Sequence, residues 1–467
     1  MDQAPRSTDA RPEGADAGPS PVPPRSYLFL QGPIGPFFLK LGLALRRRGH
    51  KVVRVNFNGG DLYDWPWPCA RLYRGDAAGF PAWVGALARQ HEITDIVLIG
   101  DCRPLHAAAC ETLRAWRPGI RVHVFEEGYL RPDNITLELD GVNASSSLPT
   151  DPEEILRSPE AMMPVIASEP VGPQTAIMGW RATIAYFCLF MTGWLFRKYR
   201  HHREAGPLAE WWFWVTRLLG RRRRLARVAR EEKALLASGQ AFYLALMQLN
   251  ADKQIVFHSS FGSMRDFMAA TIRSFADHAP AGTLLIFKGH PLDNGQTPHA
   301  RHARDLARAA GVADRVHFLD GGNLTDLIGA SHGVITINST AGISALHRRV
   351  PLVVLGRAIY DMPGLTHQTG LDRFWTAPER PERALYMAWR QVVALRSQIN
   401  GGFYNARGMA LALPGALERL TRAARPRAVR ASTTDAPALA PQPGSPIQGG
   451  SPAPCPADRP ISASGGT

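Results

Sequence analysis

Apolar side chains along this chain fall into two alternating patterns. Short continuous runs, β-branched and aromatic, alternate with longer stretches whose apolar positions recur every three or four residues. The first pattern predicts buried strands and the second amphipathic helices. The opening "SYLFLQGPIGPFFLKLGLALRRRGHKVVRVNF" reads as a strand at 27–31, a Gly/Pro turn at 32–36, a helix at 37–48 and a strand at 51–57. Gly49 stands where a helix C-terminus favours glycine. Further helices are expected near 81–91 and 104–116, with strands at 94–99 and 120–125. A second block starts near Phe242. Its strands read at 254–258, 283–287, 315–319, 333–337 and 351–355, and its helices near 264–278, 299–310, 323–331 and 340–348. Such alternation means βαβ units and parallel sheets.

The predicted architecture is therefore α/β, with two Rossmann-like halves facing across a cleft, as in GT-B enzymes. That step from fold to function is an analogy, and the sites must carry it. The expected organisation is a disordered tail (1–24), an acceptor domain (25–171), an aromatic and basic helical segment (172–240), a nucleotide-sugar domain (241–400), a C-terminal helix (401–425) and a second disordered tail (426–467). Both tails are rich in Pro, Ala, Ser and Gly and too poor in large apolar groups to offset chain entropy.

Charge sharpens the picture. The 467 residues carry a formal net charge of +14, which favours an anionic partner. Between 197 and 230 there are eleven Lys/Arg against two Glu, a net of +9 and most of the total. The five cysteines show no metal-binding or disulfide spacing. The polar N-terminal stretch lacks the apolar core of a signal peptide, so a cytoplasmic setting is expected. No nucleic-acid motif accompanies the charge, and no nucleic-acid partner is expected.

Candidate chemistry lies at strand ends, where ligands bind in open parallel sheets. "GPIGP", with Gly35, joins the first strand to the first helix; it lacks the dinucleotide fingerprint. "LIFKGHP" places Lys288 and His290 directly after a strand, positioned to neutralise a departing phosphate. "TINSTAG" puts Asn338, Ser339 and Thr340 before a helix, where capping groups and phosphate ligands use the same atoms. "VHVFEEGYLRP" ends an expected strand in Glu126 and Glu127. The run Ala182–Phe196 is uncharged but only 15 residues long, short of the roughly 20 needed to span a bilayer. With Trp194, Arg197, Lys198, Trp211, Trp212, Trp214, Arg221, Arg222, Arg223 and Arg224, it suits the surface of an anionic membrane.

Together, "FLQGPIGPFF", "RRGHKVVRVNFNGGD", "FEEGYLRPDNITLE", "INSTAGISALHRRVPLVVLGRAIYDMPGLTHQ" and "LDRFW" resemble capsule polysaccharide proteins of the KpsS/LipB type, over about residues 26–400. That resemblance implies a retaining β-Kdo transferase. It would use CMP-Kdo as donor, need no cofactor or metal, and start a poly-Kdo linker on a phosphatidylglycerol-type lipid at the inner face of the inner membrane. It implies Asp252, four residues after Gln248, as nucleophile and Glu127 as general base. Lys288, His290, Asn338, Ser339, Thr340 and Gly35 would hold the nucleotide sugar. Other capsule assembly proteins are implied as partners. The alternatives are a non-enzymatic assembly or export adaptor, and a transferase using another CMP-sugar such as CMP-sialic acid.

Overall fold

A computed structural model describes residues 23–66, 70–164, 167–199, 212–213, 215–217, 219–249, 259–293 and 295–422. Asp252, Trp211, Trp214, the strand expected at 254–258 and nearly all of both expected tails lie outside this set.

The first sheet has seven strands: β1 (Ser26–Phe29), β2 (Lys51–Asn56), β3 (Arg71–Leu72), β4 (Asp95–Ile99), β5 (Arg121–Glu127), β6 (Asn134–Leu139) and β12 (Gln398–Asn400). Their spatial order is β12-β6-β5-β4-β1-β2-β3. β1 to β5 are parallel, whereas β6 and β12 add on antiparallel. The second sheet is all parallel, in the order β11-β10-β7-β8-β9. It comprises β7 (Phe242–Leu246), β8 (Leu284–Lys288), β9 (Val316–Leu319), β10 (Gly333–Thr336) and β11 (Leu352–Val354). Two α/β halves with a cleft between them make this a GT-B fold.

The central strands form because helices cover both of their faces. All residues of β1, β4, β7 and β8 are buried, which is why they read as unbroken apolar runs. The helix Phe37–Arg47 turns Phe37, Phe38, Leu41 and Leu45 inward. Those side chains pack with Phe29, Phe125 and Phe403 in one aromatic core. Each fully buried side chain of this size contributes roughly 1.5–3 kcal/mol.

Three features depart from the sequence reading. β5 runs on to Glu127 rather than stopping at 125, because β6 pairs with its end: Glu126 faces Thr136 and Glu127 faces Ile135. The central strand of the second sheet is "FYLAL" at 242–246. The chain also crosses back after the second half. β12 pairs with β6, and the helix Ala406–Thr421 packs on the first core, so residues 398–400 belong to the first sheet.

The helix Thr175–Met191 lies over the carboxyl ends of the first sheet's strands. It starts beside Tyr404, whose backbone N–H donates to the Gln174 side chain. It passes over Gly35 at Arg181 and over Gly60 at Ala185, and it ends with Cys188 and Thr192 against Gly59. No helix among the described residues is long and apolar enough to cross a membrane.

Candidate functional site

Strand ends from both halves meet at a cavity of about 550 Å³. The C-terminal half supplies Lys288, His290, Ser339, Thr340 and Arg348, and the N-terminal half supplies Tyr129 and Arg131. With His347 and Arg390, which also line it, six cations or potential cations face one space, the composition expected of a phosphate site.

Lys288 is the last residue of β8 and is 5% exposed. Burial lowers its pKa, while the charges of Glu232 and Asp320 oppose that shift. His290 is pulled down to about 4, first by burial and then by the cations Arg131 and Lys288. It is neutral at physiological pH. Its Nδ1 accepts from the Leu292 backbone N–H at 3.1 Å, which leaves Nε2 as the protonated, donating nitrogen. His290 thus acts as a hydrogen-bond donor, and Lys288 and Arg131 supply the charge. The effect of Arg131 on His290 ties the two halves together at this point.

The Asn338–Thr340 turn is held rigidly. Gln248, just beyond β7, and Asn338, just beyond β10, form a reciprocal amide pair: Gln248 Nε2 donates to Asn338 Oδ1 at 2.9 Å, and Asn338 N donates to Gln248 Oε1 at 3.2 Å. Tyr360, fully buried, donates its hydroxyl to the Ser339 carbonyl at 2.5 Å. Ser339 Oγ accepts from Ala341 N at 3.2 Å, so it caps the turn. Ser339 and Thr340 line the cavity and Asn338 anchors the turn behind them. Asp252, four residues after Gln248, lies outside the described residues.

The acids sit at the end of β5 in the N-terminal half. Glu127 Oε1 accepts from the Tyr404 hydroxyl at 2.5 Å, a bond spanning 277 residues. Burial, then Glu127, raises the Tyr404 pKa well above the usual phenol range, so the phenol remains a donor. Glu126 points to the other face of β5 and accepts its neighbour's backbone N–H at 3.0 Å. Gly35 follows β1, two strands from β5 in the sheet, on the order of 10 Å across the rim. Its φ of +114° suits glycine, and an added Cβ would press on Arg181 at 3.3 Å.

The basic segment divides. Arg217 pairs with Asp320 at 2.8 Å and Arg224 approaches the same carboxylate at 3.8 Å. These two arginines therefore hold the helix Arg221–Ala237 to the C-terminal half. Arg221, Arg222 and Arg223 are exposed. On the helix Thr175–Met191, Ile177, Trp180, Phe187, Phe190 and Met191 form an exposed apolar stripe that continues to Trp194. Trp180 is 67% and Trp194 74% exposed. Arg197 and Lys198 follow at once, Lys198 reaching Asp76 at 3.4 Å. Trp212 is exposed as well. Arg131, Tyr404, Tyr360 and the buried role of Arg224 were not apparent from sequence, since each depends on a partner far along the chain.

The model of the capsule polysaccharide biosynthesis protein family matches residues 94–404. The chain belongs to this family. It is 37% identical over 387 residues to the capsule polysaccharide export protein KpsS of Escherichia coli, covering 81% of this chain and 97% of that one. It is 35% identical over 392 residues to the capsule polysaccharide modification protein LipB of Neisseria meningitidis serogroup B, covering 81% and 92%. Among solved structures, KpsC of Thermosulfurimonas dismutans, a beta Kdo 2,7 transferase, aligns over 85% of this chain and 98% of its own, with 13% identity and a TM-score of 0.42. The family relationship rests on the first three matches.

Proposed function

We propose that the protein is a retaining glycosyltransferase that moves Kdo from CMP-Kdo to a phosphatidylglycerol-type lipid at the cytoplasmic surface of a membrane. The observation that carries this reading is the convergence of Lys288, His290, Ser339 and Thr340 with Arg131 across one cavity. Those groups suit the phosphate of a nucleotide sugar. The family relationship supplies the polysaccharide context. The exposed stripe from Ile177 to Trp194 supports contact with a lipid surface.

In this mechanism the Asp252 carboxylate attacks the anomeric carbon. The bond to the CMP phosphate breaks, and CMP leaves with the electron pair. Arg131 and Lys288 offset its growing charge, and the His290 Nε2–H donates to a phosphate oxygen. The acceptor hydroxyl then gives its proton to Glu127 and attacks the glycosyl–Asp252 intermediate, freeing Asp252. Two inversions give net retention. Cationic side chains hold the phosphate, so this reading uses no metal or other cofactor.

The test is to incubate the full chain with CMP-Kdo and a fluorescent phosphatidylglycerol analogue and weigh the product, with CMP-sialic acid offered in parallel. A mass gain of one or more Kdo residues is expected. Transfer from CMP-sialic acid alone would reassign the donor. No transfer from either would favour a non-enzymatic assembly or export role.

A further inference from the structure

Beneath the helix Thr175–Met191, two charged side chains meet without satisfying each other. The Nε of Arg181 is buried without a hydrogen-bond partner among the described residues. The Asp64 Oδ1 is likewise buried without a partner. The other side of the Asp64 carboxyl takes the Gly35 backbone N–H. Burial pushes the Asp64 pKa up to about 7, and Arg181 is near enough to oppose that shift without forming an ion pair. Gly35 lies between them, its bare Cα passing under the guanidinium. An unpartnered buried donor or acceptor costs about 1–3 kcal/mol and calls for an explanation. Here one guanidinium N–H and one carboxyl oxygen are buried and left open at one spot.

The surroundings indicate what would fill it. Arg181, Ala185, Cys188 and Thr192 form the inner stripe of the helix, against the sheet rim. Ile177, Trp180, Phe187 and Met191 form the outer, exposed stripe. One turn of helix therefore separates a surface suited to acyl chains from an unpaired guanidinium. The same rim carries Glu127, two strands away.

We infer that Arg181 and Asp64, set on either side of Gly35, form the subsite for the acceptor's headgroup: the guanidinium takes a phosphodiester and the Asp64 carboxyl takes a hydroxyl of the same headgroup. This rests on the lipid-acceptor reading above and deepens it. A guanidinium fork matches two phosphate oxygens, which a lysine cannot do. A carboxyl that keeps its proton near neutrality can sit beside a phosphodiester without repelling it, and can donate to or accept from a hydroxyl. The phosphate of the nucleotide donor is the other possible source of the same chemistry, and the test separates the two.

The test uses the full chain and glycerophosphoglycerol, the soluble headgroup of phosphatidylglycerol, with glycerophosphomethanol as the analogue lacking the terminal hydroxyls. Binding is read by titration calorimetry or saturation-transfer NMR, and CMP binding is measured in parallel. Arg181→Met should weaken glycerophosphoglycerol at least about tenfold, as expected for loss of a charged hydrogen-bonding partner. It should leave CMP binding and flotation with vesicles unchanged, and it should not lower the melting temperature, because an unpartnered charge is being removed. Asp64→Ala should erase the preference for glycerophosphoglycerol over glycerophosphomethanol. Undiminished headgroup binding by Arg181→Met, competition between CMP and glycerophosphoglycerol, or marked destabilisation of Arg181→Met would each overturn the subsite. If the wild type binds the headgroup through Arg181 but transfers no sugar, the subsite stands and the enzymatic reading fails. If transfer proceeds with an unchanged acceptor KM in Arg181→Met, the reverse holds.

Discussion

The two walls of the cleft are finished to different degrees. In the C-terminal wall the groups that set the turn and the histidine ring are held by partners. Gln248 and Asn338 pair reciprocally, Tyr360 pins the Ser339 carbonyl, and Leu292 N–H fixes the His290 ring. In the N-terminal rim two buried polar atoms near the helix Thr175–Met191, Arg181 Nε and Asp64 Oδ1, are left open. A wall of the first kind is preorganised and waits only for a charge that grows during reaction. A rim of the second kind is incomplete until something brings its own donors and acceptors. The contrast fits a transferase whose nucleotide site is built in advance and whose acceptor site is completed by a lipid headgroup.

The strongest way to break this comparison is to remove the finished wall's chemistry. Lys288→Ala and His290→Ala should each lower transfer on the order of 100-fold or more, the usual cost of losing one group that stabilises developing charge. The fold should persist, as judged by circular dichroism and melting. Because His290 is already neutral at pH 7, His290→Gln, which keeps an N–H donor, should recover part of the activity. Near-normal turnover by folded His290→Ala protein would show that this wall does not hold the leaving group.

The finished wall is also the part most legible in the sequence. Lys288, His290, Ser339 and Thr340 each follow a run of buried apolar residues, so the strand ends could be read directly. Register was harder. "FYLAL" is as apolar as any strand, yet the sequence reading placed no strand at 242–246. β6 alternates only partly, and β12 has three residues, too few to show a period of two. The N-terminal rim was nearly invisible because its pairs are distant in sequence. Glu127 and Tyr404 lie 277 positions apart, and Asp64 and Arg181 belong to elements that local pattern cannot bring together. Charge counting misled for the opposite reason: Arg217 and Arg224 add to the basic run but are spent on Asp320.

That division of the basic segment gives the next expected effect. Replacing Trp180, Phe187 and Trp194 together with Ser should cost most of the flotation with vesicles containing anionic lipid, since these side chains lie exposed on one stripe. Replacing Arg221, Arg222 and Arg223 with Ser should weaken flotation less and only at low salt, at roughly 1 kcal/mol per charge before screening. Arg224→Ser should instead lower the melting temperature, because it loosens the helix held at Asp320. Equal loss of flotation from Arg224→Ser and the triple aromatic variant would refute the division.

A smaller effect should come from the pin beneath the turn. Tyr360→Phe removes the hydroxyl that the Ser339 carbonyl accepts, at a cost of about 1 kcal/mol for a buried hydrogen bond. The turn would then be freer, so KM for the donor should rise while KM for the acceptor stays put. A change confined to the acceptor would mean that this turn does not serve the donor wall.

A last effect is a pH dependence that marks the open rim. Asp64 holds its proton in the folded protein up to about pH 7, whereas an unfolded aspartate releases it near pH 4. Between those values the native state binds more protons than the unfolded state, so stability falls as pH rises through that window. Asp64→Asn carries no such proton. Its melting temperature relative to wild type should therefore climb from pH 5 to pH 8, with the gap levelling off above pH 7. His290 acts at the acid end with the opposite slope: its folded pKa of about 4 lies below the unfolded value, so stability is lost as pH falls from about 6.5 toward 4. The two groups can thus be told apart by the direction of the trend as well as by substitution. Bound glycerophosphoglycerol should flatten the Asp64 trend by giving the carboxyl a partner in both protonation states, while CMP, held at the other wall, should leave it unchanged. A wild-type and Asp64→Asn pair whose melting curves shift in parallel from pH 5 to pH 8 would show that Asp64 is an ordinary surface carboxylate, and the open character of the rim would then rest on Arg181 alone.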